Sequence, residues 1–192
     1  MRNLGDVDKQ TAASFLDLFE ASHLVYRLKP VGYGKEVLRG RDKIDLADAA
    51  LPGAVLLLGR KLLEQPDRSR AAVETAFFEH LFTRYHKETP RFSYWRDSRN
   101  TEFEVDVVAE LGDRLVPLEV EYRGGEIGPK LVRGMRLFLE ARGLDQGYVI
   151  TQRWDDLGRM PATSGRAGRE SEPIAASILR IPAPLACFRL SE

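Results

Sequence analysis

The sequence predicts an α/β protein in which a mixed sheet is flanked by helices, and three observations carry that expectation. From residue 71 onward the chain reads helix, strand, strand, strand, helix, strand, an order that packs helices onto a sheet. The run "AAVETAFFEHLFTRYH" (71–86) has no breaker and carries Val73, Phe77 and Leu81 beside Phe78, Phe82 and Tyr85, an apolar stripe broad enough to cover a sheet. The runs "EFEVDVVAE" and "RLVPLEVEYR" alternate apolar with acidic residues on either side of Gly112-Asp113, as two strands joined by a tight turn do.

The elements follow in order. "DVDKQTAASFLDLFEASHLV" is an amphipathic helix that Asp6 or Asp8 can cap; Phe15, Leu18, Phe19 and Ser22 fall at helical spacing, and the helix should end near Ser22. Leu24 to Leu28 and Glu36 to Leu46 are extended runs joined by a proline and two glycines, which suits a hairpin with a long loop. Helix followed by hairpin is half of a winged helix. Arg27, Lys29, Lys35, Arg39, Arg41 and Lys43 against Glu36 and Asp42 make this stretch basic, enough to touch phosphates if the hairpin is a wing and otherwise a solvated basic loop. "ALPGAVLLLGRKLLE" reads as a short apolar helix stopped by Gln65-Pro66. The polar joint at 65–70 divides the chain into an N-terminal segment, residues 1–66, and a larger domain, residues 67–192. "RFSYWR" is the first strand of that domain. Beyond Gly124-Gly125, "PKLVRGMRLFLEARG" is a helix with proline at its start and glycine at its end, and "QGYVIT" is an apolar strand. Residues 153–174 read as a long mobile loop, and "ASILRI" as a last strand.

Composition narrows the function classes. Twenty-nine Lys and Arg balance twenty-nine Asp and Glu, so no global field announces a nucleic-acid or membrane partner. A single cysteine, Cys187, and no apolar run of membrane-spanning length lead to the expectation of a cytoplasmic protein without disulfides or membrane anchorage. His23, His80 and His86 lack metal-ligand spacing. "VGYGKEV" is not a phosphate-binding loop, because that loop needs GxxxxGK followed by Ser or Thr.

A two-residue turn at Gly112-Asp113 pairs Leu111 with Arg114 and fixes the register outward. Val107 then faces Leu118, Val105 faces Val120 and Phe103 faces Tyr122, forming an apolar face. On the other face Asp106 lies across from Glu119 and Glu104 across from Glu121, while Glu102 meets Arg123. Like charges directly opposite destabilise a strand pair by about 0.2–1 kcal/mol, so the arrangement calls for an offsetting cation unless the face is simply wet and acidic. Magnesium is the cation expected, since it takes oxygen ligands from one or two carboxylates. Glu74 adds to this, because it shares the stripe of Phe78, Leu81 and Tyr85 on the side that should meet the sheet, where a carboxylate is costly unless paired or metal-linked. Its other partner would be Arg70, one turn earlier.

The helical Glu74, then "YWR", "EVD", the hairpin and "PLEVE" resemble the PD-(D/E)XK nuclease-like superfamily. More narrowly, "VETAFFEHL…FSYWRDSRNTEFEVDVVAE…VPLEVEYR…GYVIT", with "FLDLFEASHLVYRLKPV…RDKIDLADAAL" before it, resembles the C-terminal region of unknown function of bacterial and archaeal P-loop ATPases, over about residues 8–182. The resemblance implies a restriction-endonuclease-like mixed sheet preceded by a partial winged-helix-like segment. It implies Glu74, Asp106 and Glu119 as ligands of Mg2+ or Mn2+ in a nuclease acting on nucleic-acid phosphodiesters. Glu121 falls where the superfamily has its catalytic lysine, which removes a donor from the site; Lys130 or Arg123 is expected to supply the missing charge. Lys35, Arg39, Arg41, Lys43 and Lys130 are the expected nucleic-acid contacts. The alternative expectation is a catalytically inactive interaction module serving a P-loop ATPase domain or subunit.

Overall fold

In a computed structural model, residues 8–32, 41–88, 90–162 and 176–191 are described. Helix α1 (Lys9–Ala21) is capped by the Asp8 carboxylate, which accepts from the Gln10 amide, and it ends at Ser22. Strands β1 (Val25–Pro30) and β2 (Lys43–Leu46) pair antiparallel. Arg27 of β1 ties α1 down through ion pairs with Asp17 and Glu20. The expected apolar helix after residue 50 is instead broken into α2 (Leu51–Val55) and a 3-10 turn at Gly59–Glu64. The break falls where Leu57 and Gly59 take left-handed backbone angles.

Helix α3 (Pro66–Tyr85) starts with Pro66, whose missing N–H costs nothing at that position, and buries Phe77, Phe78 and Leu81. Strands β3 (Arg91–Arg96), β4 (Glu104–Leu111) and β5 (Arg114–Glu121) follow. Then come α4 (Arg133–Arg142), ended by Gly143 in the left-handed region, and β6 (Gln146–Thr151). The stretch expected to be a loop contains a strand, β7 (Gly158–Pro161), which pairs antiparallel with β8 (Ser177–Pro182). A C-terminal helix, α5 (Ala183–Ser191), was not expected from the sequence, since its first turn carries a proline and reads as a tail.

The eight strands form one mixed sheet in the order β2-β1-β3-β4-β5-β6-β8-β7. The N-terminal hairpin therefore continues the sheet, with β1 running parallel to β3 through Lys29–Ser93 and Pro30–Tyr94. The core has two parts, one on each side of the sheet. Phe77, Phe78 and Leu81 of α3 and Ala183 and Ala186 of α5 pack on Val107, Ala109, Leu118, Val120 and Ile150. Met135, Phe138 and Leu139 of α4 pack on Val105, Val108, Val149 and Ile178. Two glycines permit that second layer. A Cβ on Gly134 would lie 2.3 Å from the Glu104 carbonyl oxygen, and one on Gly147 would lie 2.6 Å from the Met135 sulfur.

The turn at Gly112-Asp113 holds the expected register, with Leu111 opposite Arg114 and Val107 opposite Leu118. The expectation of one continuous apolar face is corrected beyond Val107. Between Ser93 and Trp95 of β3, β4 spends three steps, from Val108 to Val105, a one-residue bulge spanning Asp106 and Val107. The extra residue reverses the alternation. Val107 packs under α3, whereas Val105 packs under α4 and Phe103 lies beneath the Arg133 guanidinium at 4.6 Å. Val120 and Tyr122 stay on the α3 side, so the pairs Val105–Val120 and Phe103–Tyr122 are split.

Candidate functional site

The bulge also decides where the acids go. Pairing between β4 and β5 ends at Val107–Leu118, while β4 continues along β3 and β5 along β6. The two strands separate at Asp106, whose Oδ2 accepts the Val120 backbone N–H at 2.9 Å and so replaces the lost strand acceptor. With Val105 turned to the α4 side, Glu104 and Asp106 are carried to the α3 side. On β5, Glu119 and Glu121 alternate with Leu118 and Val120, whose side chains enter the α3-side core, yet both acids remain near enough to Asp106 and to Arg70 of α3 to feel their charge. The bulge breaks the flat, two-row arrangement expected for the four carboxylates without separating their charges from one another.

On the α3 side the acids converge on a lysine. The Lys43 Nζ lies 2.8 Å from Oδ1 of Asp106, 3.3 Å from Oε1 of Glu74 and 3.4 Å from Oε1 of Glu104. It also sits 5.8 Å from the centroid of the Phe78 ring, and its side chain is only 17% exposed. Burial alone would lower the ammonium pKa; Asp106 and Glu74 outweigh it and hold Lys43 above its ordinary range. Glu74 is pushed up to about 7, first by burial and then by the charge of Asp106, with Lys43 opposing both. Burial raises Asp45 of β2 as well. Glu104 shares its second oxygen with Arg96.

Glu121 is buried and pairs with Arg123 at 2.7 Å and more loosely with Arg70 of α3 at 3.8 Å. Burial raises Glu121 against the pull of both arginines. Glu119 makes no ion pair among the described residues, and its Oε2 is buried without a hydrogen-bond partner there. Its carboxyl is raised well above the ordinary range, first by burial and then by Asp106 and Glu121.

The expected residues are thus placed as follows. Glu74 and Asp106 are brought together, but by Lys43 rather than by one another. Glu74 does not pair with Arg70, which instead reaches Glu121. Arg123 meets Glu121 by direct pairing, and Lys130 is exposed to solvent. Arg41 is exposed, with its carbonyl accepting the Tyr94 hydroxyl; Lys35 and Arg39 lie outside the described residues. Lys43 was expected on phosphate and is mostly buried against carboxylates. Its role, and that of Glu104, could not be read from spacing, because Lys43 meets Asp106 across 63 positions.

These residues do not fit a magnesium ion as arranged. A hard cation would have to take the place of the Lys43 ammonium among Glu74, Glu104 and Asp106. Among the described residues no group of three or more His, Cys, Asp or Glu side chains is arranged to hold a metal ion. Among them, too, no helix is long and apolar enough to cross a membrane.

No curated protein and no solved structure matches the chain. The segment from residue 70 to residue 164, which runs from α3 through β7 and includes Glu74, Glu104, Asp106, Glu119 and Glu121 but not Lys43, matches the family described as Domain of unknown function (DUF4143).

Proposed function

We propose that the chain is a nuclease-like module without metal-dependent cleavage, serving as an interaction or regulatory part of a P-loop ATPase system. The observation that carries this reading is the Lys43 ammonium held by Glu74, Glu104 and Asp106, a protein cation standing where a nuclease of the PD-(D/E)XK type needs its metal. Glu121, paired with Arg123, takes the place of the catalytic lysine and withdraws a donor from any phosphate.

Two further observations support an interaction role. The matched family is a domain typically found C-terminal to AAA ATPases. The N-terminal segment also presents apolar side chains outward: α1 buries none of its residues and leaves Phe15 and Leu18 more than half exposed, and Leu57 is 92% exposed.

Cleavage assays on plasmid and oligonucleotide with Mg2+ or Mn2+, beside calorimetric titration of each metal, test the reading. The expected result is no metal-dependent cleavage and no binding heat. Metal-dependent cleavage that disappears in Glu119→Ala would overturn it in favour of a nuclease. The buried carboxyl of Glu119, whose Oε2 has no hydrogen-bond partner among the described residues, is the observation favouring that second reading, since strongly shifted groups gather at functional sites.

A further inference from the structure

A second concavity lies at the other end of α3. Glu74 and Tyr85 are eleven residues apart on one helix, about 16 Å along its axis. Between that distal half of α3, the underside of α5 and the hairpin near its turn is a cavity of about 270 Å3. Its walls are Phe77, Leu81, Ala109, Leu118, Ile150 and Ala186, from both helices and three strands. The volume lies between the roughly 150 Å3 that accommodates benzene in an engineered cavity and the lower end of ordinary ligand pockets.

The rim has one electrostatic sign. Arg114, the first residue of β5, is exposed, and its side chain makes no ion pair or hydrogen bond among the described residues. Arg189 of α5 brings a second guanidinium to the lining, and the half-buried Tyr85 and Tyr148 bring phenolic hydroxyls. Among the described residues no Asp or Glu lines the cavity. An apolar chamber closed by a guanidinium suits a ligand with an apolar body and a single anionic head.

We propose that this cavity binds a small amphiphilic monocarboxylate, its alkyl or aryl body of roughly ten non-hydrogen atoms inside and its carboxylate against Arg114. The limited volume selects a free small molecule over a peptide segment. The site is independent of the acid–lysine cluster.

Octanoate, used well below its micellisation concentration and followed by calorimetry and by amide chemical-shift changes on the full chain, is the probe. Octanol and octylamine are the comparison arms. Octanoate is expected to bind more tightly than either, with shifts centred on β4, β5 and α5. Ala186→Leu, which fills the chamber, should abolish binding without lowering Tm, and Ala109→Val makes the same test from the sheet side if α5 rejects the larger residue. Arg114→Met should weaken octanoate about two- to fivefold while leaving octanol unchanged. Absence of octanoate binding overturns the proposal, as does binding unaffected by either cavity-filling change. Octylamine or octanol binding as tightly as octanoate overturns the carboxylate assignment.

Discussion

Lys43 Nζ donates to Asp106 Oδ1 at 2.8 Å, joining the edge strand β2 to the bulged residue of β4. The same ammonium reaches Glu74 of α3 and Glu104, so one side chain holds the N-terminal hairpin, the helix and the sheet together. Removing one partner of a buried ion group leaves the others uncompensated, which costs more than the intact group contributes. Lys43→Met should therefore lower unfolding free energy by about 3 kcal/mol, measured by urea titration. In the background of Asp106→Asn and Glu74→Gln the same substitution should cost clearly less, and full additivity would contradict the network.

The Lys43 variant also tests what the three acids can do without their internal cation. Freed of the ammonium, Glu74, Glu104 and Asp106 present hard oxygen ligands. Millimolar Mn2+ should raise the Tm of Lys43→Met by a few degrees through linkage, roughly as one occupied site does, and leave the wild type unmoved. An equal shift in both proteins would show that Lys43 does not hold the cation position.

Stability should fall as pH rises across the weakly acidic range. Glu74 has a folded pKa of about 7 against an unfolded value of 4.5, so the folded state binds more protons between those limits. Its stabilising contribution is complete below about pH 4.5 and is lost as pH passes 7, a change on the order of 3 kcal/mol. Glu119, raised by burial, adds in the same direction. Denaturant midpoints measured from pH 5 to 8 should decline, and Glu74→Gln should flatten the profile.

Gly134→Ala should be among the costly small substitutions in the chain. Its new Cβ would meet the Glu104 backbone at 2.3 Å, and backbone cannot swing aside as a side chain can. A loss of about 2–3 kcal/mol is expected from this overpacking. Ala at Gly143, where φ is 63° but nothing lies within 4 Å, should cost only about 1 kcal/mol. Thermal melts of the two variants compare them directly, and equal losses would refute the close approach of α4 to β4.

By itself the sequence determined what depends on neighbours along the chain. The Gly112-Asp113 turn and the alternation around it set the hairpin register from Val107 to Leu118, and the breaker-free stripe from Val73 to Tyr85 set α3 and the residues it buries. It missed β7 and α5, whose short or proline-bearing runs carry little periodicity of their own and are held by β8 and α3. Tertiary structure alone decided the site. The bulge at Asp106 and Val107 arises from how β4 is matched to β3, and it turns Asp106 toward Glu74 and Lys43. Only folding brings Lys43 to Asp106, because a pairing across 63 positions leaves no local pattern in either segment. The energetic reason is burial: carboxylates withdrawn from water must find a cation, and the nearest one the fold supplies is Lys43.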